Sequence, residues 1–149
     1  MTKTKTRSNM KGFTLIELVL VIAILGILAV VALPTLFNTT LTSARSNTAA
    51  MTAAAVQGGL GIYMGNEVAQ GRIKSYPATL DSASAGLATP NNPFFTAILE
   101  QPVTSSWIKS ASGTCYVYDA NGNGTDDATD IHYDYDSATG AFASVTACP

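Results

Sequence analysis

The sequence predicts an α+β fold in which a long N-terminal helix packs on a C-terminal antiparallel β-sheet. Three observations predict it: an apolar run of 21 residues from Phe13 to Leu33, a helical rhythm of apolar residues beyond Pro34, and alternating apolar and polar residues between turn signals in the last third.

The run FTLIELVLVIAILGILAVVAL is apolar apart from Thr14 and Glu17. As a helix it reaches about 30 Å, the thickness of a bilayer's hydrocarbon core. Four of the eight basic residues, Lys3, Lys5, Arg7 and Lys11, precede it together with none of the ten acidic ones, and the next basic residue is Arg45. That asymmetry places residues 1–12 on the cytoplasmic side and sends the rest outward. A chain cut at that point keeps four basic side chains against ten acidic, a net charge of −6. Its cations, Arg45, Arg72, Lys74 and Lys109, are scattered, so no direct nucleic-acid site is expected. Glu17 costs on the order of 3 kcal/mol in an apolar helix even on the lenient insertion scale, which argues for a partner or a role. An ordinary secretory signal with Val30 and Ala32 before its cleavage point, or a plain signal anchor, leaves Glu17 without a reason.

Gly12-Phe13-Thr14-Leu15-Ile16-Glu17, followed by the unbroken apolar run and Pro34, resembles the N-terminal signal of type IV prepilins and of the pseudopilins of type II secretion. The resemblance covers about the first thirty-four residues. It implies cleavage between Gly12 and Phe13 by a prepilin peptidase, N-methylation of Phe13, and retention of the hydrophobic segment. It also implies storage in the inner membrane and assembly with other pilin subunits on an inner-membrane platform. In the polymer Glu17 would neutralise the Phe13 amine of a neighbouring subunit, each charge sparing the other its desolvation penalty. The expected division is a leader (1–12), a transmembrane and polymerisation helix (13–34), an amphipathic continuation (35–65), and a head (66–149) with an αβ-loop and a disulfide-closed C-terminal region. The resemblance implies a structural subunit rather than an enzyme: a type IV pilin whose extracellular filament serves adhesion, motility or DNA uptake. A periplasmic pseudopilin of type II secretion is the alternative, and a membrane-anchored periplasmic binding domain or enzyme is a third reading.

Pro34 falls where the apolar run ends and is expected to kink the helix. Beyond it Leu36, Phe37, Leu41, Ala44, Thr48, Met51 and Ala55 recur at helical spacing, the predicted stripe under the sheet. The helix is expected to end near Tyr63, weakened by Gly58, Gly59, Gly61 and Gly65. Residues 66–92, rich in Ser, Ala and Pro, read as a surface connection. Asn92-Pro93-Phe94-Phe95 reads as the start of a short helix ending near Gln101. Strands are expected at Thr114 to Asp119, Ile131 to Asp136 and Ala141 to Thr146, with a fourth at Ser105 to Lys109. Ser137-Ala138-Thr139-Gly140 is the turn into the last of them. In the alternating strand, Ile131, Tyr133 and Tyr135 share one face, and His132, Asp134 and Asp136 the other. Cys115 and Cys148 are the only cysteines, and in an exported domain an even pair reads as a disulfide rather than two buried thiols. Closing a loop of this length contributes about 3 to 4 kcal/mol in the chain-entropy account.

Chemistry in the globular part centres on one string, residues 119–130. Asp119, Asn121, Asn123, Thr125, Asp127 and Asp130 stand at positions one, three, five, seven, nine and twelve, with Gly124 at six. That is the spacing of an EF-hand-like calcium loop, with Asp in place of the closing Glu and strands in place of flanking helices. Two readings stand: a structural calcium site, with the Thr125 carbonyl and a water-mediated Asp127 among its ligands, or a solvated Asn-Gly-rich connection. Beyond that structural calcium no cofactor is expected. His132, the only histidine, reads as a surface residue, and the acids at 126, 127, 130, 134 and 136 as a solvated cluster rather than a paired-carboxylate site. Trp107 and the tyrosines at 116, 118, 133 and 135 suit sheet packing, with a carbohydrate-binding surface as the other reading. No nucleophile and base pair up.

Overall fold

The structure is a computed structural model that describes residues 12–73 and 75–149, apart from the side chains at 35, 36, 38 and 39. The leader residues before Gly12, and Lys74, lie outside the described residues. One helix, α1, spans Leu15–Ala69. Pro34 lies inside it; with no N–H, it leaves one i→i−4 bond unmade, which is why the sequence predicts a kink there. The helix outruns the expected end at Tyr63 and stops in a Schellman cap. Gly71, at φ +75°, donates its N–H to the Val68 carbonyl, and Arg72 donates to the Glu67 carbonyl five residues back.

Contacts divide the chain into two units, one ending at Leu41 and one running Thr42–Pro149. In the first, Leu15–Pro34 has a mean hydropathy of 3.1, is long and apolar enough to cross a membrane, and has no residue buried within the chain. In the second, α1 buries Ala49, Ala53, Val56 and Leu60, a four-three-four spacing that defines one face. The expected stripe is therefore corrected: Phe37, Leu41, Ala44, Thr48, Met51 and Ala55 are exposed, Met51 at 74%. Alanine on nearly every side of this stretch makes periodicity alone indifferent to the choice of face. The sheet takes the face that offers Val56 and Leu60 with small alanines beneath.

The sheet is an antiparallel meander, β1 (Gly86–Leu87), β2 (Trp107–Lys109), β3 (Cys115–Tyr118), β4 (Ile131–Asp136) and β5 (Ala141–Val145), paired in chain order. β4 has the predicted bounds, while β1 lies inside the predicted surface connection. Two residues long, it shows no alternation, and it forms because Leu87 and Gly86 pair with Ile108 and Lys109. That connection is also less superficial than expected, since Pro77, Leu80, Asp81 and Ala88 are buried. The predicted helix at 92–101 is absent. Phe94 exchanges both backbone hydrogen bonds with Val103, and Phe95 sits at φ +62°, both incompatible with a helix. Asn92, instead of capping, donates its amide to the Ser84 and Leu87 carbonyls and accepts from the Ser84 N–H.

The inner face of the sheet is aromatic. Phe95 lies 4.7 Å from Tyr116, 5.8 Å from Trp107 and 5.6 Å from Phe142, ring centre to ring centre, and Tyr133 stacks on Phe142 at 5.3 Å. Trp107 and the tyrosines are thus core residues rather than a carbohydrate platform. Two polar devices fix this core to its surroundings. Gln57 on α1 donates to the Gly140 carbonyl and accepts from the Phe142 N–H, tying the β4–β5 turn to the helix. Lys109, one of the scattered cations of the sequence, is buried, with its ammonium 2.6 Å from the equally buried Asp81.

Cys115 and Cys148 form a disulfide, with Cα atoms 5.6 Å apart. It lies on the outer face of the sheet, and all four residues of β3 are buried.

Gly59 tolerates no side chain, because a Cβ there would stand 2.7 Å from the Ile98 carbonyl oxygen, whereas Gly58 faces open space. Gly59→Ala should destabilise the protein by about 1–3 kcal/mol, since overpacking against backbone outweighs the gain in helix propensity. Gly58→Ala should instead stabilise it by roughly 0.5–1 kcal/mol. Chemical denaturation of the two variants side by side checks both signs.

Candidate functional site

The amino-terminal site is built by a helix start. Thr14 precedes the first helical residue, and its hydroxyl accepts the Glu17 N–H at 3.3 Å. Glu17 reaches back, its Oε2 accepting from the Thr14 N–H at 2.8 Å and from the Thr14 hydroxyl at 2.7 Å. This is a reciprocal capping box, and it satisfies donors that the first turn would otherwise leave bare. The Thr-x-x-Glu spacing signalled it in the sequence, where the reading of Glu17 turned on a neighbour's amine alone. Gly12 and Phe13 stand exposed just ahead of the cap, Phe13 at 92%.

The loop from Asp119 to Asp130 folds through its own side chains. Asp119 accepts the N–H groups of Gly122, Asn123 and Gly124. Asp130 accepts those of Ala120 and Asp127. The Asn121 oxygen accepts the Asn123 N–H and the Asn123 oxygen the Thr125 N–H, while both Asn amide groups donate to Asp127. Every carboxylate oxygen of these three acids thus holds at least one N–H donor. The Asp127 carboxyl is held down at about 2, first by the Thr129 hydroxyl and N–H, then by the Asn121 and Asn123 amides. A group depressed in the folded state stabilises the loop above its ordinary value of 3.8 and loses that contribution as pH falls toward 2. A carboxyl carbon NMR titration should accordingly place the Asp127 midpoint near 2; a midpoint at the ordinary value would show that these bonds do not persist in solution.

His132 is not the surface residue that its strand position suggested. It is 8% exposed on the outer face of β4, with Nε2 2.7 Å from Oδ1 of Asp126. Of the other clustered acids, Asp136 closes the β4–β5 turn, where the Thr139 hydroxyl and the Ala138 N–H hold its carboxyl below the usual range.

The family described as the prokaryotic N-terminal methylation motif matches residues 7–33, spanning Gly12, Phe13 and Glu17. This is the prepilin signal of type IV pilins and pseudopilins. No curated protein and no solved structure gives a significant match to the chain. The prepilin signal implies processing by a prepilin peptidase and assembly into pilin polymers, and together with the apolar helix it fits anchoring in the inner membrane before assembly. Behind the signal, one long helix continuing into an antiparallel five-stranded sheet is a pilin-like α+β architecture. The structure brings Thr14 to Glu17, Cys115 to Cys148 and Asp126 to His132; the first and last of these pairings were not anticipated.

Proposed function

We propose that this chain is the structural subunit of a type IV pilus, cut between Gly12 and Phe13, N-methylated on Phe13 and polymerised through its N-terminal helix into an extracellular filament. The observation that carries the reading is a prepilin signal on an apolar helix that finds no burial in its own chain. Twenty residues of such surface need either a bilayer or other helices, and a polymer of copies supplies the second when the chain leaves the first. In that bundle the Glu17 carboxylate takes the Phe13 amine of a neighbour as its partner. The subunit needs no catalytic residue, and its work in adhesion, motility or DNA uptake comes from the filament.

Intact-mass and N-terminal analysis of protein sheared from cells tests this reading. Methylated Phe13 at the start of high-molecular-weight sheared material supports it. Methylated Phe13 found only in the membrane fraction would assign the chain to a periplasmic pseudopilus of type II secretion. An uncut Met1, or a start after Ala32, would overturn both.

A calcium ion in the Asp119–Asp130 loop is a separate proposal that rests on ligand spacing. Asp119, Asn121, Asn123 and Asp130, with the Thr125 carbonyl and Asp127, would hold it in a structural role. Calcium titration of the detergent-solubilised chain decides it, a chelator-insensitive thermal midpoint being the result that removes it.

A further inference from the structure

Three segments of the chain meet on the outer face of the sheet. Asp126 comes from the loop before β4, His132 from β4 itself, and Cys148 from the tail after β5, and their side-chain donor atoms all lie within 4.8 Å of one another. The His132 side chain is nine-tenths buried, yet with Asp126 and Cys148 it lines an open hollow of about 350 Å³, and its Nε2 lies 2.7 Å from Oδ1 of Asp126. Two positions along the same face, Asp134 buries a carboxylate oxygen that accepts no hydrogen bond. An imidazole paired with an exposed carboxylate, on a strand face that carries a second acid, is an environment that gains from a cation.

The donor types select the cation. Imidazole nitrogen with carboxylate oxygen suits borderline divalent ions such as zinc, whereas calcium and magnesium take oxygen alone. Cys148 is joined to Cys115, so it offers a neutral disulfide sulfur and no thiolate. The strong protein ligands are therefore two, and water entering through the hollow fills the remaining positions. In tetrahedral geometry, ligand atoms at about 2.0–2.1 Å from zinc lie roughly 3.3 Å apart. Opening the 2.7 Å pair to that separation takes only a rotation of Asp126, whose side chain is 44% exposed.

We propose that Asp126 and His132 form a surface site for a borderline divalent transition-metal ion, seated beside the Cys115–Cys148 disulfide and tying the loop before β4 to the sheet. Asp126 lies within the 119–130 loop but is none of the side chains assigned to calcium there.

Isothermal titration of zinc chloride into the detergent-solubilised, tag-free full chain tests it. One equivalent should bind saturably, with calcium failing to compete, and His132→Ala and Asp126→Ala should each weaken binding by about tenfold or more. Should an Ala variant misfold, His132→Gln and Asp126→Asn serve in its place. Because His132 is the only histidine, carbethoxylation of the wild-type protein gives a second readout: zinc should slow modification of that single ring. No saturable binding below about 1 mM, which is far weaker than a functional zinc site requires, would overturn the proposal. So would undiminished binding by either variant, or a carbethoxylation rate indifferent to zinc.

Discussion

Asp81→Ala is expected to destabilise the protein by about 3–5 kcal/mol, the cost of leaving a buried charge without its partner. Asp81 gathers four donors at one buried carboxylate. It takes the Lys109 ammonium and the Ala83 N–H on one oxygen, and the Phe95 N–H and the Tyr116 hydroxyl on the other, while the Lys109 ammonium also lies 5.5 Å from the centre of the Tyr116 ring. Burial, and then the Asp81 charge itself, push the Tyr116 phenol well above its ordinary value, so it stays protonated and donates. Removing the carboxylate leaves the ammonium with the Ala83 carbonyl alone and strands three neutral donors. Removing the other end costs less, because in Lys109→Met the carboxylate keeps its three remaining donors. The expected order of midpoints in denaturant is therefore wild type, then Lys109→Met, then Asp81→Ala. If the two variants unfold together, the account of Asp81 as a hub rather than half of a pair is wrong.

Glu17→Gln separates two roles that one side chain holds. Gln preserves a capping box with Thr14, since an amide oxygen at this position also accepts the backbone N–H, but it carries no charge to meet an amine. On the filament reading, Glu17→Gln leaves a precursor that inserts and is cut normally while sheared filament falls by about tenfold or more, as an unmatched ammonium in an apolar bundle costs several kcal/mol. Thr14→Ala makes the converse change. It removes the hydroxyl of the cap at a cost of roughly 1 kcal/mol and should leave filament yield close to wild type. Quantifying sheared subunit from the three strains checks this, and full assembly of Glu17→Gln would assign Glu17 to the cap alone.

The elements most legible in the sequence were those set by local pattern. The alternation of Ile131 through Asp136 gave β4 its bounds, and the Ser137–Gly140 turn closed as expected, with Gly140 at φ +72°. The prepilin signal is likewise local, six residues and an apolar run. What escaped was decided by distant partners. Asn92-Pro93 carries the chemistry of a helix start, but Val103 claims the Phe94 backbone first. Met51 and Ala55 have the spacing of a buried stripe, but the aromatic sheet docks on Val56 and Leu60. His132 alternates correctly onto the outer face. Nothing in its neighbours announces that Asp126 and the disulfide-tethered tail cover that face.

The strictly sequential order of the sheet bears on how quickly a newly exported chain reaches its final form. Each strand pairs with the strand before it in the chain, so the sheet can grow by successive hairpin closures over short spans. The costly closure joins α1 to the finished meander, where Gln57 meets Phe142 across 85 residues. Anchoring the apolar segment before assembly fixes one end of that helix, and a fixed end narrows the search that this closure requires.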